Sequence, residues 1–275
     1  MRALSAGERT GRTIHVAFCA AVLFFLMAPI LVIVPLSFNA EPYFTFTEGM
    51  LRLDPEAWSL RWYREIATSD VWRSALVNSL AIGTAATALA TFLGTLAALG
   101  LSSPNMPARR FLMGFLVSPL VTPVIISAAG MFFFYSRIGL GQTHLGLILA
   151  HAALGTPFVV ITVTATLTAY NTTLNRAAAS LGAGPVRTFA RVQLPLIAPG
   201  VVSGALFAFA TSFDEVVVVL FLGGVEQNTI PRQMWAGIRE EISPAILAVA
   251  TFLIVFAAAL LFTVGWLRRR AVGTA

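Results

Sequence analysis

Six apolar runs alternate with short polar, arginine-bearing segments along the chain, at about 14–38, 71–101, 110–135, 145–170, 196–222 and 242–267. Each exceeds the roughly 20 residues that a helix needs to cross a hydrocarbon core of about 30 Å. Inside lipid a backbone must satisfy its own hydrogen bonds, and runs of this length do so as helices. The pattern therefore predicts an all-α integral membrane protein of six transmembrane helices, with residues 1–275 forming a single transmembrane domain. The first run follows Arg2, Arg9 and Arg12, is too long for a signal-peptide core, and meets no small-residue cleavage site before Asn39. It reads as a retained helix, bent near Pro29 and Pro35. The second run is rich in Ala, Gly and Thr, small residues that let neighbouring helices approach closely. Between these two, Trp58 to Ile66 (WSLRWYREI) predicts a short amphipathic helix at the membrane interface. Pro119, Pro123 and Pro157 fall inside later runs and shape their helices.

Composition agrees with this pattern and removes several function classes. The chain is 57% hydrophobic and 11% charged, too few charges to cover a soluble domain of 275 residues. All 18 basic residues are arginines. Without lysine there is no Walker A phosphate loop and no Schiff-base chemistry, so any ATP is held by another polypeptide. The net charge of +6 does not form a basic stripe with interleaved aromatics, which argues against a nucleic-acid partner. With the N-terminus inside, the cytoplasmic segments carry eleven arginines and one acid, Glu8, whereas the outer segments mix seven arginines with nine acids. The positive-inside rule then places both termini in the cytoplasm. Cys19 is the only cysteine, so there is neither an intramolecular disulfide nor a cysteine-based metal site. His144 and His151 lie seven residues apart on one helix face, but no further metal ligands stand near them in the sequence, and packing or hydrogen bonding suits them better. No G-x-S-x-G nucleophile elbow is present, and no enzyme site emerges.

The polar segment 171–195 is the most informative loop. Ala177 to Leu181 favours helix, Gly182 to Pro185 (GAGP) ends that helix and turns the chain, and Val186 to Val192 forms a second short helix, broken by Pro195. The result is a cytoplasmic helix–turn–helix, basic on its outer side through Arg187 and Arg191 and suited to docking into another protein. In the fifth run, Asp214 and Glu215 interrupt apolar sequence. A charge at the bilayer centre costs from about 2.5 kcal/mol upward, so such residues face a pathway or a partner. Adjacent helix positions differ by about 100° of rotation, so the two acids cannot share one face. One lines a pathway while the other pairs with an arginine or caps backbone; alternatively, both lock the packing between two subunits. Trp235 stands in the next loop, as an interfacial anchor or as an aromatic face for an ammonium group at an outer gate.

These motifs resemble the binding-protein-dependent ABC permeases, whose cytoplasmic EAA loop reads E-A-A, a glycine, nine further residues, then I-x-L-P. Ala177, Ala178 and Gly182 match the first part, Ala183 follows the glycine, and Val192, Leu194 and Pro195 close the pattern. Arg176 replaces the glutamate and Val192 the isoleucine. The segments Ser212–Gly224 and Asn228–Ile254 are similar to the C-type permease of spermidine/putrescine importers, with Thr229-Ile230-Pro231 and Ile242-Ser243-Pro244 in the expected places. The resemblance implies a type I ABC importer permease fold in the bacterial inner membrane. It also implies loop 171–195 as the ATPase-coupling element, and an ATP-binding subunit dimer, a second homologous permease and a periplasmic substrate-binding protein as partners. No cofactor belongs to this chain, ATP–Mg lying on the partner subunit, and the cargo would be putrescine or spermidine, with Asp214, Glu215 and Trp235 on its path. Permeases of the same architecture for an opine, an amino-acid-like solute or another small cation stay open. So does an ion-coupled secondary transporter, although no internal inverted repeat is visible.

Overall fold

The computed structural model describes residues 6–240 and 243–272 and is helical almost throughout. Arg2, Glu241 and Ile242, which the sequence reading used for the N-terminal charge and the start of the last span, lie outside the described residues. The helices are α1 (Ala6–Leu36), α2 (Glu48–Leu51), α3 (Arg61–Thr68), α4 (Asp70–Leu101), α5 (Arg109–Val121), α6 (Val124–Arg137) and α7 (His144–Thr168). They continue as α8 (Thr173–Ser180), α9 (Pro185–Thr188), α10 (Leu194–Asp214), α11 (Val217–Leu222), α12 (Ile230–Glu240) and α13 (Ala245–Val272).

Among the described residues, four stretches are long and apolar enough to cross a membrane, Gly11–Leu36, Asp70–Leu101, His144–Thr168 and Pro185–Asp214. The pair α5 and α6 makes a fifth if it is counted as one span, but its halves are bent by 102°. The single helix expected over 110–135 is thus two helices. Pro123 has no N–H for a helical ladder, and it drives Thr122 to extended backbone at φ −73°, ψ 129°. Over the last expected span, α13 is one continuous helix, Ala245–Val272.

The chain divides into two compact units, residues 1–69 with 237–275, and residues 70–236. In the first, α1 and α3 both pack on α13. The aromatic and aliphatic side chains of α1, among them Phe18, Phe24, Phe25 and Leu26, point outward, as expected of a helix whose solvent is lipid. The polar stretch after α1 is organised by buried Asn39. Its amide donates to the carbonyls of Tyr43 and Thr45, both at 3.1 Å, and its Oδ1 accepts from Glu41 N–H at 2.9 Å. Its own carbonyl accepts the Trp62 indole N–H at 2.7 Å. Trp62 is therefore buried against Ala245 and Ala248 rather than floating at an interface. Arg61 covers the indole ring at 4.1 Å from its centre. The interfacial helix expected from Trp58 begins only at Arg61, because Trp58 is held in an antiparallel bridge to Asn39.

In the second unit, α7 runs against both α4 and α10, and glycines bring the backbones together. A Cβ on Gly94 of α4 would meet Val159 Cβ at 2.7 Å, and one on Gly204 of α10 would meet Val159 Cα at 2.7 Å. Gly155 of α7 faces Ala208 and Ala90, and Gly200 of α10 lies against Thr166. Lipid tails are as apolar as leucine, so burying apolar surface does little to join helices in a membrane; close backbone packing of this kind does more. Around these contacts Ala86, Ala90, Ala98, Val159, Val163, Ile197 and Ala208 are fully enclosed.

Two measurements check these packing arguments. Gly204→Ala places a methyl against backbone that cannot swing aside, and we expect a loss of about 1–3 kcal/mol, read as a lowered thermal unfolding midpoint in detergent. Gly100→Ala, on α4 with nothing within 4 Å, serves as the control and is expected to leave the midpoint unchanged or raise it slightly. Equal drops for both would remove the close-packing argument. Asn39→Ala orphans buried backbone groups at a cost of at least about 2 kcal/mol, and we expect faster limited proteolysis within residues 40–57 than in the parent chain.

Candidate functional site

Segment 171–195 folds as a helix–turn–helix whose shape follows from a few local bonds. Asn171 Oδ1 accepts from Thr173 N–H at 3.0 Å and opens α8. At the other end of α8, Gly182 N–H bonds to Ala179 O at 2.9 Å and Ala183 N–H to Ala178 O at 3.0 Å. This paired closure requires a left-handed residue between the two donors, and Gly182 sits at φ +80°. The spacing from the alanine pair to the glycine is thus the spacing of a helix and its Schellman stop. Gly184 and Pro185 then start α9, Pro185 in the first turn where a missing N–H costs nothing.

The second helix does not stop at Pro195, contrary to the sequence reading. From Pro185 to Asp214 the chain is one helix of 30 residues. Residues Phe189–Gln193 form a π-turn in which Leu194 N–H reaches Phe189 O, shifting the ladder by one residue ahead of the proline. That shift places Pro195 in the opening turn of α10, where the proline ring is tolerated. Phe189 and Tyr170 pack on the Leu167–Ile197 end of the core and fix the loop to the helices below. Its tip is open: Leu181 is 88% and Val186 82% exposed, with Arg176, Arg187 and Arg191 also exposed around them. The loop thus exposes apolar and guanidinium side chains together.

At the far end of the same helix lies the acidic pair. The fifth span was expected to be continuous to 222, but it breaks after Asp214. Glu215 is extended at φ −76°, ψ 118°, and its Oε1 accepts from Val218 N–H at 2.9 Å, which caps α11. A run of four β-branched valines follows, Val216–Val219, a weak helix former that gives the break little resistance. The two carboxylates therefore differ: Glu215 is half-buried and engaged with backbone, while Asp214 is exposed. Asp214, Glu215, Thr211 and Ala210 line a groove of about 370 Å³. Trp235 lies on α12, 45% exposed, and is not part of that lining.

Two polar clusters near the break escaped the sequence reading. His151 Nδ1 lies 2.7 Å from Ser212 Oγ, joining α7 to the last turn of α10. Asn78 donates to the carbonyls of Glu226 and Asn228, at 2.7 and 2.9 Å, so its Oδ1 accepts from His144 Nε2 at 3.1 Å. Gln142 N–H bonds to Leu222 O at 2.8 Å, and Ile230 N–H to Ser79 Oγ at 2.8 Å. Together these bonds pin the loop between α11 and α12 to α4 and α7. The two histidines are thus engaged in hydrogen bonds to other helices. Nothing in the sequence marks such pairs, whose members stand 61 to 151 residues apart.

Residues 90–273 match the family described as "Binding-protein-dependent transport system inner membrane component". The chain is 30% identical over 244 residues to the spermidine/putrescine transport system permease protein PotC of Haemophilus influenzae, covering 89% of this chain and 92% of that relative. It is 31% identical over 239 residues to the putrescine transport system permease protein PotI of Escherichia coli, covering 84% and 82%. Among solved structures, a chain of a bacterial ABC transporter involved in the import of the acidic polysaccharide alginate has the same fold. The TM-score is 0.75 at 14% identity, over 96% of this chain and 99% of that one. The protein belongs to the inner-membrane components of binding-protein-dependent transport systems.

Proposed function

We propose that this chain forms half of the translocation pathway of an ATP-driven importer that admits polyamines such as putrescine and spermidine to the cytoplasm. The observation that carries the cargo is Asp214: a carboxylate exposed at the break of α10 while its neighbour Glu215 is committed to backbone. A carboxylate binds a primary ammonium through charge-assisted hydrogen bonds. The C-terminal end of α10 adds its negative dipole to the same place, and Thr211 offers a hydroxyl in the same groove. The kinship with the PotC and PotI permeases supports the same class of cargo.

The partners follow from the loop and the family. Loop 171–195, with Arg176, Ala177, Ala178, Gly182, Ala183, Val192, Leu194 and Pro195, docks on the cytoplasmic side into an ATP-binding subunit, which supplies the phosphate chemistry that a chain without lysine lacks. Two such subunits, a second permease and a periplasmic binding protein complete the assembly, and both termini of this chain face the cytoplasm. When the ATPases close, the loop is drawn with them. The helix Pro185–Asp214 carries the displacement from loop to carboxylate as one element. Release of the bound cation towards the cytoplasm then accompanies the return of the helices after hydrolysis.

The test is ATP hydrolysis by the co-purified complex in lipid nanodiscs with its binding protein, titrated with putrescine and spermidine. We expect polyamine stimulation, and with Asp214→Asn a rise in the half-maximal polyamine concentration of about tenfold or more, the worth of one charged hydrogen bond. ATPase activity indifferent to polyamines would remove this cargo but leave the importer. Absence of any co-purifying ATPase would remove the importer and leave an ion-driven carrier in its place. A second variant tests the loop: Gly182→Val forces a β-branched residue into left-handed backbone at about 1–2 kcal/mol. The expected result is loss of ATPase association with helix content unchanged.

A further inference from the structure

We propose that His151 is a positioning residue for the pathway carboxylate, holding the last turn of α10 through Ser212 and thereby setting where Asp214 points. The inference rests on the reading of Asp214 as a pathway group. Its basis is geometric. Ser212 stands two residues before Asp214, in the final helical turn, and its hydroxyl lies 2.7 Å from His151 Nδ1. Both residues are enclosed, His151 at 2% and Ser212 at 7% exposure. Just beyond, Glu215 leaves the helix and turns its carboxylate forward to α11, so that α10 is steadied from its side. A third helix closes the joint: Gly83 of α4 lies so near that a Cβ there would stand 3.3 Å from the Phe209 ring and 3.9 Å from Ser212 Oγ. Three helices therefore meet at a serine in the last helical turn before the break.

The choice of histidine is informative because it carries a cost. Its second ring nitrogen, Nε2, is buried with no hydrogen-bond partner among the described residues. An enclosed unpaired nitrogen is unfavourable, and a leucine would fill the same space without one. A position that served packing alone would not need the imidazole. The bond to Ser212 offsets part of that cost and fixes the imidazole against the last turn of α10.

The proposal is tested by thiol labelling. In a Cys19→Ser chain, Asp214→Cys supplies one reactive thiol, and a water-soluble maleimide reads its exposure in the assembled complex in nanodiscs, with and without ATP. Against that background, His151→Leu and Ser212→Ala each remove the bond, while His151→Asn keeps an amide near the Nδ1 position. We expect the first two to change the labelling rate by about twofold to tenfold, the worth of one buried neutral hydrogen bond, and His151→Asn to restore it most of the way. Equal labelling in all backgrounds would overturn the positioning role of His151 while leaving Asp214 on the pathway. No labelling in any background, with or without ATP, would instead overturn the pathway reading on which the proposal stands. Should His151→Leu prevent assembly, Ser212→Ala and His151→Asn, both shape-sparing, decide the question by the same rates.

Discussion

Backbone-to-backbone contact at glycine is the constraint on which the rest of this structure depends. Gly94, Gly155, Gly200 and Gly204 let α4, α7 and α10 approach until Cα atoms and β-methyls touch. In a membrane no hydrophobic force drives such helices together, so contact area and dispersion must do the work. Because the three are clamped along their middles, both ends of α10 acquire fixed surroundings. At one end Phe189 and Tyr170 seat the Schellman-stopped loop. At the other, His151 and Gly83 enclose Ser212 just before the break. The 30-residue helix from Pro185 to Asp214 spans about 45 Å, so one stiff element joins the proposed docking surface to the proposed cation site.

The difference between Asp214 and Glu215 illustrates how a helix break divides labour between identical chemistries. Both are carboxylates, adjacent in sequence and lining the same groove. Glu215 is occupied in capping α11, which stabilises the break itself, and Asp214 is the exposed carboxylate of the pair. A discontinuous helix in a membrane exposes backbone polar groups that lipid cannot satisfy, and such breaks are tolerated where they face protein or water. The capped break beside an exposed acid and a groove fits that pattern.

Much of the fold was legible in the sequence, and the exceptions share a cause. The long helices could be read because apolar length is a one-dimensional signal. The helix–turn–helix of 171–195 could be read because Gly182 and Pro185 act on their own backbone neighbours. The bend at Thr122–Pro123 was half legible: the proline was visible, its 102° consequence was not. Pro195 misled, because a proline reads as a helix breaker unless the π-turn before it is known. That one acid of the pair could cap backbone was legible, though not that Glu215 would be the one, and the His151–Ser212, Asn78–His144 and Asn39–Trp62 bonds were hidden. Their meaning depends on which groups the fold brings opposite them, and the helix packing that decides this leaves no local mark.

Loop 171–195 is the proposed link between this membrane chain and an ATP-hydrolysing subunit. The most direct measurement is site-specific cross-linking from that loop. With Cys19→Ser and Ala183→Cys, the single thiol stands at the Schellman turn beside the exposed tip. A photoactivatable maleimide on that thiol is expected to capture the ATP-binding subunit of the native complex, with a yield that changes between nucleotide-free and ATP-bound states. Capture of lipid alone, or of no nucleotide-binding protein in either state, would contradict the coupling role and with it the ATP-driven mechanism.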